Sequence, residues 1–335
     1  MKKELDWFWE HPIRQVKFVD RTFNYDRKRA ADIWQYLIDK ANAQLAAIES
    51  GAADPDQHVY RAQPTVRRIT GEKESPFTNF HFELAADILN DELINLLNRA
   101  PEGLIQLEIG VQSTDPKVLE AIDRKQSIDQ LSAIVKRLRE PGNIHIHLDL
   151  IAGLPGEDLA TFRQSFNDVI ALRPHALQLG FLKLLKGTKI RRDADRGAAL
   201  YRSFAPYEVI STTAISFDEI ALLKDIEWLV DRLYNTGDYE RSMEALMAAH
   251  VDAFAAFEDL AHFMRHSDAY MRRISKDELT VLLDRYFSLR TGIDARVGRN
   301  SLYADYMSKS FNNEHDWQRI QDRFHGPDAK AENLE

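Results

Sequence analysis

Several apolar runs of this sequence end on residues that make poor core and good ligands. Asp20 closes QVKFVD and Glu83 lies near the end of TNFHFEL. Gly110-Val111-Gln112-Ser113 ends LIQLEIGV, and Asp149 and then Gly153-Leu154-Pro155-Gly156 follow NIHIHL. Carboxylates such as Glu83 and Asp149 accept hydrogen bonds from hydroxyls or an amine, and Gln112 can both donate and accept. Glycines at 110, 153 and 156 permit close approach of backbone to a ligand. Arg124 can hold a carboxylate through two parallel bonds. As a set, these residues suit recognition of a polar small molecule. Taken singly, the Gly153–Gly156 stretch reads as well as a strand-ending turn, and Arg124 as a surface ion pair.

A second chemistry is written nearby. His145, His147 and Asp149 fall at alternate positions, so on a strand they share one face. Two imidazoles and a carboxylate suit zinc, and hence a metal-dependent hydrolase. His81 and Glu83 form a similar pair on another run. The histidines lie early in their run, however, whereas ligands of a parallel barrel gather at the strand ends. Two hydrogen-bonded interior histidines account for the same pattern.

These residues require strands to carry them. Strand-like runs occur near 15–20, 78–84, 104–111, 143–151 and 176–182. Between and around them lie amphipathic helical patterns at 2–10, 26–48, 91–100, 115–122, 128–139 and 159–172. Alternation of this kind predicts parallel βα units, closed either as a doubly wound sheet or as a full or partial barrel. The order opens on a helix where a βα array normally opens on a strand, so a first strand is expected to be absent. Residues 50–76 interrupt the pattern with Gly, Pro, Ala and charge and read as an exposed insertion. Its Arg61, Arg67, Arg68 and Lys73 form either a docking patch or an ordinary solvated loop. From 217 onward the pattern is helical throughout. The domain limits predicted are 1–200 for the βα region, 201–325 for a helical domain and 326–335 for a flexible tail.

Composition narrows the function. A net charge of −9 over 335 residues does not favour a nucleic-acid backbone as partner. No apolar run reaches the roughly 20 residues that span a bilayer, and the start MKKELDWFWEH has no apolar core of a signal peptide. The expectation is a cytoplasmic protein with a small-molecule substrate and no membrane or nucleic-acid partner. The strand at 15–20, left as a sheet edge, is expected to favour self-association. There is no cysteine in the chain, which removes disulfides and thiolate metal sites.

In order and spacing, VKFVDRTFN (16–24), TNFHFE (78–83), EIGVQS (108–113) with AIDRK (121–125), DLIAGLPGED (149–158), LQLGFLKLLKGT (177–188) and APYEVIST (205–212) resemble the radical S-adenosylmethionine (SAM) enzymes. The likeness is to the branch with a cobalamin-binding domain and a C-terminal domain of unknown function. The resemblance implies a partial TIM-type (β/α)6 barrel, without its first strand in this chain, followed by an all-helical domain. It implies SAM as cofactor, held against a [4Fe–4S] cluster that reduces it to a 5′-deoxyadenosyl radical. By matched motif, Glu83 would lie at the polar end of SAM, and Gln112 and Asp149 on its ribose hydroxyls. Arg124 would pair with its carboxylate. Gly110 and Ser113 belong to the same motif as Gln112. Gly153 and Pro155 would shape the adenosine pocket, and backbone from Gly180 to Leu182 would reach the adenine.

The departure from that family is the cluster motif, CxxxCxxC. The resemblance places it, with any cobalamin domain, before Met1 in a full-length parent, and predicts that this chain alone is inactive. A degenerate barrel acting as a binding or scaffold protein is the alternative.

Overall fold

The computed structural model describes residues 1–11, 13–53, 76–267, 274–290, 294–308 and 314–325. Arg61, Arg67, Arg68 and Lys73 lie outside the described residues. The chain divides into two compact units, Met1–Ile220 and Ala221–Glu335.

The first unit is built on five parallel strands: β1 Gln15–Lys17, β2 Asn79–Leu84, β3 Ile105–Gln112, β4 His145–Ala152 and β5 Ala176–Phe181. Their order in the sheet is their order in the chain, β1-β2-β3-β4-β5. A doubly wound sheet reverses direction partway through its strand order; this one never does. Successive right-handed crossovers then put every connecting helix on one face and curl the sheet into a half-barrel of TIM type. β1 and β5 are its outer strands, and β1 is shorter than the run 15–20 that predicts it.

Alternation decides what each face carries. Phe80, Phe82, Leu107, Ile109, Ile146, Leu148, Leu177 and Leu179 point to the helices and are buried. The helix Arg27–Glu49 seats Trp34 edge-on against Phe82, with ring centroids 5.9 Å apart, while Phe23 approaches the same ring at 4.5 Å. The helices begin where the sequence supplies an acceptor. Asp26, Asn90, Asp115, Ser127 and Asp158 each cap the first turn that follows them, satisfying N–H groups that no helical carbonyl reaches. Pro116 stands at the first turn after Asp115, where its lack of an N–H costs nothing. Beyond β5, a two-stranded antiparallel ribbon, β6 Ala199–Tyr201 and β7 Val209–Thr212, extends the strand content past the runs read from sequence. At three and four residues, these strands are too short for a period to show.

The second unit is helical. Phe254, Phe257, Tyr286 and Phe287 are fully buried in it. A Cβ at Gly298 would stand 2.3 Å from the Phe287 ring, so only glycine allows that approach. Asp305 accepts from the backbone N–H of Arg241 and Ser242, at 3.1 and 2.8 Å, and so caps the helix Glu240–Ala248 from a distant part of the sequence. Asp284, fully buried, accepts from Arg299 Nε at 2.7 Å. Among the described residues no helix is long and apolar enough to cross a membrane.

Candidate functional site

The concave face of the half-barrel is polar from bottom to top. Facing inward are Gln15 and Lys17 from β1; Asn79, His81 and Glu83 from β2; Gln106, Glu108, Gly110 and Gln112 from β3; His145, His147 and Asp149 from β4; and Gln178 and Gly180 from β5. The register sets these in layers: Gln15 beside Asn79, Gln106 beside His145, Glu108 beside His147, Gly110 beside Asp149, and Asp149 beside Gln178.

The lower layers are bonded to one another. Gln15 Nε2 donates to Asn79 Oδ1 at 2.8 Å and to Gln106 Oε1 at 3.0 Å. Gln106 Nε2 lies 3.0 Å from His147 Nε2, and His145 Nε2 lies 2.8 Å from the same nitrogen. An amide nitrogen can only donate, so His147 accepts there and is neutral. Burial agrees, pushing the pKa of His147 down to about 4. Lys17 Nζ donates to Glu108 Oε2 at 2.7 Å, and His81 Nε2 stands 2.9 Å from the same oxygen. These partners, His81 first, hold Glu108 down at about 2.

This arrangement corrects the metal reading. His145 and His147 turn their Nε2 atoms toward each other, and Asp149 sits a layer higher. Among the described residues no group of three or more His, Asp or Glu side chains is placed to share an ion.

Above these layers, at the C-terminal ends of the strands, is a cleft of about 650 Å³. Its lining includes Glu83, Gly110, Gln112, Arg124, Asp149, Gly180 and Leu182. The structure therefore brings seven of the sequence-derived site residues to one place. Asp149 Oδ1 and Gln112 Oε1 are buried there without a hydrogen-bond partner. Burial, reinforced by the charge on Glu108, pushes Asp149 up to about 8. Glu83 is raised for the same reasons, burial first. Arg124 donates to Gly110 O at 3.0 Å, and burial lowers its pKa against the pull of Asp87, Asp149 and Glu83.

The backbone at this point is unusual. β3 is irregular against β4 between Gly110 and Gln112, and Gln112 has φ +71°, a conformation that non-glycine residues adopt at some cost. It folds the Gln112 side chain back over Gly110, where a Cβ would fall 2.3 Å from Gln112 Nε2. Glycine at 110 is thus what allows the amide into the cleft.

The other candidates lie elsewhere. Ser113 is on the opposite parity from Gln112 and faces the helices. Its hydroxyl donates to Glu157 Oε1 at 2.7 Å, within a buried group that includes Ser165. Glu157 is itself pushed up to about 8 by burial. Gly153 and Pro155 line a smaller neighbouring cavity of about 130 Å³, which meets the main cleft at Leu182. Gly153 has φ +82° and lies so close to Val209 that a Cβ would approach it to 2.8 Å. Asp20 is not in the cleft either; it lies 3.6 Å from Arg29 at the surface.

Arg21, Gln178 and Lys183 line the cleft but do not stand out in the sequence as candidates. Gln178 had a signal: it is the one polar residue of ALQLGF and shares its parity with Gly180. Arg21 and Lys183 had none, because they lie just beyond the strands, where period carries no information.

A family model described as the radical SAM superfamily matches residues 1–169, half of the chain, and one described as a protein of unknown function (DUF4080) matches residues 198–327. An oxygen-independent coproporphyrinogen III oxidase of Bradyrhizobium diazoefficiens is 34% identical over 116 residues, covering 34% of this chain and 24% of that protein. A heme chaperone HemW of Mycobacterium tuberculosis is 28% identical over 178 residues, covering 50% of this chain and 45% of that protein. The matches thus span a quarter to a half of the length of these curated relatives. Among solved structures, the radical SAM methyltransferase TsrM of Kitasatospora setae aligns with a TM-score of 0.43 at 17% identity, over 60% of this chain and 33% of that one.

Proposed function

The chain belongs to the radical SAM superfamily, and from that premise we propose that the cleft at the strand ends binds S-adenosylmethionine. The observation that carries the reading is the pair of buried, unpartnered acceptors, Asp149 Oδ1 and Gln112 Oε1, aimed into a cleft that also holds Arg124. Buried polar atoms normally have partners, and a ligand supplies them in this cleft. Asp149 and Gln112 take the ribose hydroxyls. Glu83 lies toward the ammonium and sulfonium, whose positive charges offset the crowding of carboxyls in the cleft. Arg124 pairs with the carboxylate, while Gly180 to Leu182 and the turn at Gly153 and Pro155 border the adenine. Burial pushes Asp149 up to about 8 in the ligand-free cleft, so its carboxyl is largely protonated at neutral pH before the cofactor arrives. An arriving cation favours its ionised form, so binding is coupled to proton release.

Radical SAM chemistry draws an electron from a [4Fe–4S] cluster held by thiolates. These 335 residues contain no cysteine, so the chain's own donor set does not fit the cluster. The reading gives this chain the task of recognising SAM in the cytoplasm, and assigns the cluster and any cobalamin to residues other than these. A barrel that binds without catalysing is a second reading, favoured by the same absence of thiols. Reconstitution with iron, sulfide and a reductant, followed by assay for 5′-deoxyadenosine, is expected to give no product from this chain.

Calorimetry tests the binding. SAM is expected to titrate to one site, and Asp149→Ala to weaken it by roughly tenfold, the worth of about 1.4 kcal/mol. The absence of heat with the unaltered chain sinks the proposal.

A further inference from the structure

The mouth of the cleft holds more positive charge than S-adenosylmethionine can use. Arg21, Arg124 and Lys183 all line it. Arg124 is partly buried and already donates to Gly110 O. Arg21 and Lys183 are exposed, and neither side chain forms a hydrogen bond or an ion pair among the described residues. Arg21 follows β1 and Lys183 follows β5, the two outer strands of the sheet, so they stand at opposite flanks of the cleft. Lys183 also opens a basic stretch. Residues 183–202 hold seven Lys and Arg against two Asp, a net +5, within a chain whose total is −9. The other 315 residues therefore carry −14, and the cleft sits beside the strongest exception to the protein's charge.

SAM brings a single carboxylate. With that group on Arg124, the two flanking cations have no ligand atom to meet. We propose that the mouth of the cleft receives the second reactant and that this reactant is an anion, a small molecule whose carboxylate or phosphate groups pair with Arg21 and Lys183. The inference rests on the SAM reading, since it is the cofactor's charge count that leaves these two cations over. The charge distribution also sets an orientation. Glu83 and, below it, Glu108 make the floor acidic, so an anionic group is repelled from the floor and held at the rim. The uncharged part of the molecule then points inward. Attraction of this kind acts through solvent at the mouth and weakens as salt rises.

The test uses two probes, inorganic pyrophosphate for phosphate and tricarballylate for carboxylate, each titrated calorimetrically into the full chain with and without SAM. At least one is expected to bind saturably to one site. Arg21→Glu and Lys183→Glu are each expected to weaken that binding by roughly tenfold or more, about 1.4 kcal/mol. Their melting temperatures and SAM affinity are expected to match the unaltered chain, since both positions are exposed and neither is assigned to SAM. The proposal is overturned if neither probe binds, or if both charge reversals bind the probe as the unaltered chain does. Its fate is separable from that of the cofactor site. Probe binding in a protein that gives no heat with SAM refutes the cofactor reading and keeps the anion site. SAM binding without probe binding does the reverse.

Discussion

The lower and upper layers of the concave face are made by the same strands from similar residues, yet they differ in how their polar groups are satisfied. Below, Gln15, Asn79, Gln106, His145 and His147 bond to one another, and Glu108 gathers Lys17 and His81. Above, Asp149 and Gln112 keep buried oxygens without partners. The two carboxylates show the difference most plainly. Glu108, bonded to Lys17 and His81, is held down at about 2, while Asp149, with burial and the charge on Glu108 acting on it, is pushed up to about 8. Burial of a polar residue therefore does not mark a binding site in this barrel. Burial without a partner on the wall of an open cleft does, because there an incoming ligand can supply the missing bond.

Substitutions can break this comparison. The largest effect is expected for Glu108→Ala, which leaves the buried His81 without its acceptor and removes the partner of the half-exposed Lys17. A loss of about 3 kcal/mol in denaturant unfolding is expected, the scale of a buried pair with one partner removed. The pH dependence has a definite sign. Because the folded-state pKa of Glu108 is depressed, its contribution is present above the ordinary glutamate range, near 4.5, and is lost as pH falls toward about 2. An unfolding midpoint unchanged in Glu108→Ala would show that the lower layer is not held together in this way.

Asp149→Asn is expected to act in the opposite direction. The folded protein keeps the Asp149 proton up to about pH 8, whereas the unfolded chain gives it up above 3.8. The carboxyl thus costs stability progressively through that window. The amide removes the cost, so the variant is expected to gain about 2 kcal/mol near pH 8 and nothing near pH 4. Unfolding curves at the two pH values check this, and a loss of stability at pH 8 would mean that Asp149 is already paired. The smallest effect is expected for Lys17→Met. Its side chain is 52% exposed, and a half-solvated ion pair contributes less than about 1 kcal/mol. A larger loss would make Lys17, and not His81, the chief support of the Glu108 carboxylate.

The fold was legible because its signals are local and periodic. Alternation in NFHFEL and HIHLDLIA names strands, and caps such as Asp26 and Asp158 begin the helices. The same alternation separates Gln112 from Ser113: one faces the cleft and the other the helices, so parity alone distinguishes them. Arg21 and Lys183 were not legible. They are far apart in sequence and meet at one cleft only because the sheet curls between its outer strands. The two short strands Ala199–Tyr201 and Val209–Thr212 escaped for a different reason, being pairs of segments too brief to carry a pattern by themselves.

The sequence by itself determined the βα order, the polar face of each strand, the likeness to the radical SAM family and the lack of any thiolate. These depend on residue type and on spacing along one segment. Which polar residues are bonded and which are left open was decided only by tertiary structure. That outcome depends on register, which sets Glu108 beside His147 and Asp149 beside Gly110 and Gln178. A side chain's neighbours across a sheet are fixed by strand pairing, and strand pairing is set by the packing of the whole unit.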